Sequence, residues 1–475
     1  MLVKAIISIF LLVAGVSVQA NQIHALVGKV RAHYQHTLPI KAFSLNHHYL
    51  NKRYRSRSYW DFRIPNRHMS QRVVELDLEK KHFYDNDLHY SSGGRLSDFV
   101  QFQNGSESLA YEKNGSSYGK LVRKQSMDRF DQAMGYFVMN LDFIAVRPLL
   151  EESNINKNIS LSRNHETGTV TLKHTTAEGK VVDYEFNESP LLLKSVKHSG
   201  LGGIFVYDNY QTTRGITYAR TVYQYYGGAT EPNYIIYNDQ FSVIDQVDPA
   251  KLTLPPGYGG ELPKRDGVLV AKEIADELYV VTDSSANRNS LLKVNGEKIM
   301  IFGASGYPEL AEKTLTLIRE QFPNKEVSSV YVTHPHDYEI AGLKTYAEQG
   351  IEILADDYTI SAIKSSPDFA DDIHTFQFRT IEHEQVINGA QFYVLENMHV
   401  KRQSFAHFKD SGILYQSDFL HIPYDNTIAK VTPSYTRTFI NFVRDKKLNI
   451  SRIVGAYRNN DISVEVMNKT FDAMM

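Results

Sequence analysis

The residues best suited to chemistry stand together at Val330–Gly342, which reads V-Y-V-T-H-P-H-D-Y-E-I-A-G. An apolar, β-branched run (Val327, Val330, Val332) stops at Thr333, and His334 and His336 follow with one proline between them. Side chains two residues apart on extended backbone project to the same side. Two imidazoles so placed at the end of a strand can hold one metal ion between them. Such chemistry needs further ligands, and the rest of the chain must carry and position them.

The elements around this stretch alternate. Short strands are expected at Val268–Ile274 and Leu278–Thr282, then a hairpin of Ser290–Val294 and Lys298–Phe302 joined across Asn295-Gly296. Pro308 starts a helix with the stripe Ala311, Leu315, Ile318 and Phe322, and Pro323 ends it. Strand 327–333 leads into a helix from about Glu339 that stops at Gly350; strand Ile351–Leu354 and a helix from Asp357 repeat the unit. Strands Ile387–Leu395, Ser404–Phe408 and Ile413–Tyr415, a helix near 435–445 and a last strand Ile450–Val454 complete it. The alternation predicts an α/β domain over 266–475, with two sheets between helical layers.

The first half reads differently. Ile23, Leu26, Val27, Val30 and Tyr34 form one helical stripe. From residue 72 the period becomes two: Val74, Leu76 and Leu78 alternate with acids, as do Val182, Tyr184 and Phe186 after a Glu178-Gly179 turn. One helical window, Met127–Leu141 behind Ser126 as N-cap, interrupts the strands, and Gly203–Tyr207, Ile216–Tyr226 and Tyr234–Ile244 continue them. These features predict a sheet-rich, antiparallel α+β domain over 21–253. The Pro/Gly-rich segment 254–265, beginning Leu254-Pro255-Pro256-Gly257, reads as a linker.

A length of 475 residues fits two domains better than one core. With a formal charge of −2 and 22% charged residues, nucleic acid is excluded as the main partner. The run Lys52–Arg57 is short enough to be a solvated face. Residues 1–20 read as a signal peptide: Lys4, the apolar Ala5–Val16, then Val18-Gln19-Ala20 as a small-x-small cleavage site. Export to the periplasm or medium of a bacterial cell is expected, with no stable membrane span after cleavage. The chain has no cysteine, so neither disulfides nor a lipid-anchoring thiol enter.

Residues 268–475 resemble the metallo-β-lactamase superfamily, whose hallmark is T-H-x-H-x-D-H-x-G-G at a strand-to-helix junction. Thr333, His334, His336 and Gly342 match it, while Tyr338, Glu339 and Ala341 replace its Asp, His and first Gly. His399 and Ser417-Asp418 match the family's later His and its S-D or G-D step. Tyr457 stands where the family has its final His, and Gly303 where it has an Asp after the early hairpin. Asp337 reads as a helix N-terminal acid, with a one-residue shift into the lost Asp position as the alternative.

The resemblance implies an α+β chain whose C-terminal part is an αββα metallo-β-lactamase-like sandwich. It also implies metal ligands His334, His336, His399 and Asp418, with one zinc and most of a second metal site lost. The expected function is an exported, metal-dependent hydrolase using zinc to activate a water, acting on a small-molecule substrate that the sequence does not name. Asp418 would orient or deprotonate the water, Glu339 is a second candidate base, and Tyr457 or Tyr338 would donate to a developing oxyanion. The alternative is a catalytically inactive relative that binds a ligand or partner in the envelope.

Within the first half, Ser189–Val222 resembles the half-barrel of bacterial lipoprotein-carrier proteins, through Pro190-Leu191-Leu192-Leu193, Tyr207-Asp208-Asn209-Tyr210 and Gly215-Ile216-Thr217-Tyr218. That resemblance implies an apolar ligand; a structural or docking domain is the other reading. Gly303-Ala304-Ser305-Gly306 is not a nucleophile elbow. His374, His383, His407 and His421 lack ligand spacing and are expected in loops or at the surface.

Overall fold

The structure is a computed structural model that describes residues 20–53, 66–91, 94–304 and 306–474. The expected signal peptide, apart from Ala20, and residues 54–57 of the basic run lie outside the described residues. The chain is a strand-rich mixture of helix and sheet, with antiparallel pairing dominant. No helix among the described residues is long and apolar enough to cross a membrane.

Residues 42–243 build one thirteen-stranded antiparallel sheet. Its first strand, Ala42–Arg53, pairs with its last, Tyr234–Val243, so the chain's two ends meet mid-sheet and the remaining strands fan out to either side. The helix over 20–34 lays Ile23, Leu26, Val27, Val30 and Tyr34 on one face of this sheet, all of them buried. Neighbouring strand residues divide between the two faces, as period two requires. Phe83 joins the helix-covered core, while Tyr84 faces a smaller core with Val247, Leu252 and Tyr258. Through that second core the segment after the last strand folds back on the sheet, and Val122 bridges Glu261.

The other half holds two sheets face to face. A seven-stranded sheet runs from Val270–Ala275 to Phe378–Thr380; its first four strands are antiparallel and its last four, from Lys298–Phe302 onward, pair in parallel. A five-stranded sheet runs from Val386–Ile387 to Arg452–Gly455. Phe302, Tyr331 and Leu354 of the first meet Phe392, Phe408 and Tyr415 of the second in the core between them. Helices Pro308–Gln321 and Asp357–Lys364 cover the outer face of the larger sheet, and Ser434–Asp445 with Val464–Asp472 that of the smaller.

Two turns differ from expectation. The stretch read as one strand, Ile387–Leu395, is a hairpin: Asn388 and Gly389 both take positive φ (50° and 79°) between paired Ile387 and Ala390. Two left-handed residues in a two-residue loop make the type I′ turn that suits a twisted hairpin. The earlier hairpin turns one residue later than its Asn-Gly pair suggests, because Asn295 still pairs with Lys298.

Candidate metal centre

The parallel strand Glu326–Tyr331 ends at the sheet's rim, and the loop after it crosses to the other sheet. Thr333 O accepts from Ser404 N (2.8 Å) and from Ser404 Oγ (3.1 Å), and Tyr331 donates to the same Oγ (2.8 Å). His336 then caps the short helix Asp337–Ile340, its carbonyl accepting from Glu339 N at 2.8 Å. The loop is thus tied at both ends, and Thr333, His334 and His336 are fully buried.

His399 and Asp418 arrive from the smaller sheet. Asn397 Oδ1 accepts from His399 N (2.7 Å), Asn397 Nδ2 donates to Gln403 Oε1 (3.1 Å), and Gln403 Nε2 donates to Ser417 O. This relay clips the two ligand-bearing loops to one strand. Asp418 has a left-handed backbone, φ 63°, which Asp and Asn tolerate better than other non-glycine residues.

One ligand atom from each of His334, His336, His399 and Asp418 lies within 4.8 Å of the others. His334 Nε2 stands 3.0 Å from His336 Nδ1 and 3.4 Å from Asp418 Oδ2, and His399 Nε2 is 3.3 Å from that oxygen. A tetrahedral zinc with bonds of 2.0–2.1 Å has ligand-to-ligand edges of about 3.3–3.4 Å, and these three separations lie near that value, so the donor set suits that ion. The protonation states agree. Burial pushes His399 down to about 4, which keeps the imidazole neutral. Burial also pushes the Asp418 carboxyl up, but His334, His399 and His421 on its oxygens hold it well below the usual carboxylate range.

Tyr338 completes the cluster. Its hydroxyl donates to Asp418 Oδ2 at 2.5 Å and stands 3.1 Å from His336 Nδ1 and 3.4 Å from His399 Nε2. Burial, reinforced by the Asp418 charge, pushes this phenol well above its ordinary value, so it keeps its proton.

Glu339 lies beside the cluster, outside the four-atom set. Its carboxylate accepts from Ser417 Oγ (3.0 Å) and the Tyr457 hydroxyl, with Thr333 Oγ1 at 3.5 Å and Arg288 Nη1 at 3.5 Å. Tyr457 in turn accepts from Arg288, whose guanidinium stacks 4.0 Å from the Tyr457 ring. Both candidate catalytic groups are therefore engaged with each other and with Arg288. Gly303 (φ 99°) sits nearby, where a Cβ would run into the Tyr415 hydroxyl.

Two of the remaining histidines correct the sequence reading. His421 is no surface residue: its side chain is largely buried with Nε2 3.1 Å from Asp418 Oδ1. His407 is buried too, with Nε2 2.9 Å from Asn449 O. Sequence reasoning also passed over Arg288 and Arg95. Arg95 comes from the thirteen-stranded sheet, and its charge acts on Asp418, Tyr338 and Tyr435. The i, i+3 spacing of His421 from Asp418 was a usable signal; for the two arginines no sequence signal exists.

No protein-family model and no curated protein sequence matches the chain. Solved structures do. The metallo-beta-lactamase FIM-1 from Pseudomonas aeruginosa, in its mono-zinc form, is similar at 12% identity over 44% of this chain and 96% of that one, with a TM-score of 0.36. A metallo-beta-lactamase from Hirschia baltica is similar at 10% identity (43% and 97% covered, TM-score 0.35). One from Pontibacter korlensis is similar at 14% identity (43% and 98% covered, TM-score 0.35).

Proposed function

We propose that the chain is an exported, metal-dependent hydrolase whose residues 266–475 form a metallo-β-lactamase-like domain holding one zinc on His334, His336, His399 and Asp418. The observation that carries this reading is the buried set of three imidazoles and one carboxylate whose ligand atoms lie within 4.8 Å of one another. Two facing sheets between helical layers, with the set at their rim, support the fold assignment. Residues 21–253 form the accompanying sheet domain.

Zinc bound there supplies Lewis acidity and the activation of water at neutral pH. The chain's own groups do the rest. Asp418 is ionised and has two differently placed oxygens: Oδ2 faces the cluster, and Oδ1 faces His421. A proton accepted by this carboxylate has an imidazole beside it to receive it. The Tyr338 phenol, protonated and central, can exchange its hydrogen bond with Asp418 for one to a developing oxyanion. Glu339 acts at one remove, holding Tyr457 and Arg288 along the wall behind Tyr338.

A second reading, a metal-holding but catalytically silent binding protein, is favoured by one observation. The Tyr338 hydroxyl stands among His336, His399 and Asp418, and four protein ligands already complete a tetrahedron, whereas catalytic zinc keeps an open position. Metal analysis tests both. One zinc per chain is expected after loading, lost in His399→Ala, together with hydrolysis of an ester, thioester or phosphodiester panel. No zinc after loading overturns both readings; zinc without hydrolysis, in wild type and in Tyr338→Phe, selects the second.

A further inference from the structure

A cleft of about 300 Å³ lies where the thirteen-stranded sheet meets the facing sheets, and its lining is strongly basic: Arg123, Lys124, Lys264, Arg265 and Arg458 against one acid, Glu261. Three of these cations are spoken for. Lys124 and Lys264 reach Glu261 at 3.2 and 3.1 Å, and Arg265 reaches Asp283 at 3.3 Å. Arg123 and Arg458 have no ion pair among the described residues. Arg123 lies 5.0 Å over the Tyr118 ring, a contact that orients its guanidinium and leaves its charge unbalanced. Glu112, whose charge Arg458 and Arg95 both feel, is committed to the 116–118 loop through Ser116 Oγ (2.8 Å), Ser117 N and Tyr118 N (3.0 Å).

We propose that this cleft binds an oxyanion, the anionic group of the substrate, between Arg123 of one half and Arg458 of the other. The word substrate rests on the hydrolase reading; the anion site itself does not. Four donors line it, two guanidiniums and the hydroxyls of Tyr118 and Tyr424, which have no hydrogen-bond partner within the described residues. Guanidiniums match phosphate and carboxylate geometry with paired N–H groups, and phenols add single donors. Burial keeps both phenols protonated, so they donate.

The cleft and the metal centre share one stretch of chain. Arg458 directly follows Tyr457, whose hydroxyl reaches Glu339 beside the cluster. Arg458 holds a left-handed backbone, φ 58°, a costly conformation for a non-glycine residue. The Arg95 charge repels Arg458 and attracts Asp418. Arg95 and Arg458 thus share Asp418 and Glu112 as the acids near them, and Arg123 adds a cation at the cleft. Arg95 and Arg458 repel each other, and an anion in the cleft offsets that cost. The class of ligand is therefore a molecule with a phosphoryl or carboxylate group, held by that group while its scissile bond faces His334, His336, His399 and Asp418.

Titration calorimetry of the full chain at low ionic strength tests this with two probes, inorganic phosphate and acetate. Saturable binding of either probe is expected, before and after chelator treatment, and the tighter probe identifies the group. Affinity should fall at least tenfold in Arg123→Gln and in Arg458→Asn, the second chosen because Asn tolerates the left-handed backbone; Arg123→Gln, at the cleft wall, keeps the test valid if Arg458→Asn does not fold. No saturable binding of either probe, binding undiminished in the variants, or binding lost on chelation would overturn the proposal. Anion binding in a protein that takes up no zinc would remove the hydrolase reading and leave the cleft.

Discussion

Removing one oxygen, by Tyr338→Phe, should weaken the metal-free protein and tighten its grip on zinc. The hydroxyl of the half-buried Tyr338 donates to Asp418 Oδ2 at 2.5 Å, beside three fully buried imidazoles. A hydrogen bond to a charged group is worth about 1.5–3 kcal/mol. The lower end applies, because Oδ2 keeps His334 at 3.4 Å and His399 at 3.3 Å as neighbours. For a domain of this size, about 1.5 kcal/mol lowers Tm by about 3–6 °C. In the zinc-bound protein the carboxylate charge is met by the ion, so the phenol contributes less. By the thermodynamic cycle, the stability lost only in the metal-free state returns as zinc affinity, about tenfold for 1.4 kcal/mol. Scanning calorimetry of metal-free protein and competition with a chromophoric chelator measure the two halves. A Tyr338→Phe protein that binds zinc more weakly than wild type would refute the argument and make the phenol itself a ligand.

Gly303→Ala should destabilise the chain by about 2 kcal/mol or more, since φ 99° suits only glycine and the new Cβ meets the fully buried Tyr415. Urea unfolding checks this, and a neutral result would mean that Tyr415 moves freely. His47 sets a pH dependence far from the metal centre. It is buried, its Nδ1 has no partner, and burial, reinforced by Arg72, pushes it down to about 3 from an ordinary 6.5. The unfolded chain therefore takes up the proton first, so stability is full above pH 6.5 and falls as pH drops toward 3. At pH 5 the loss is about 2 kcal/mol, and unfolding curves of His47→Gln at pH 7 and 5 should lack that difference. A wild-type loss retained in His47→Gln would assign the acid sensitivity elsewhere.

How much of this was legible depends on whether a feature is written locally. The helix stripe Ile23 to Tyr34 and the strand alternation at Val74–Leu78 are short-range periodicities, and both appear in the structure as buried faces. The turn at Asn388-Gly389 was missed because apolar residues on both sides read as one run, and the turn signal was outvoted by its flanks. His334 and His336 stand out by spacing alone, whereas Asp418 depended on the resemblance. His421 was misread because its surroundings are set by a loop that returns to Asp418. Arg95 and Arg288 lie far from the motif in sequence and reach it only through packing, which no window of residues records.

The charges around the centre argue that cleft and cluster work together. Glu339 is answered by Arg288 at 3.5 Å, so that pair contributes no net charge. Asp418 is one negative charge, beside the neutral His399 imidazole and a protonated phenol. Arg95 and Arg458 answer it together with Glu112, and Arg123 adds a cation outward. A divalent ion on the four donors adds two more positive charges within the same buried volume. Unscreened, such an excess would oppose metal binding; an anion in the cleft relieves it, and the ion in return favours the anion, because coupling between two binding sites is reciprocal. A neutral substrate would leave this field unbalanced, which is the physical reason to expect an acidic one.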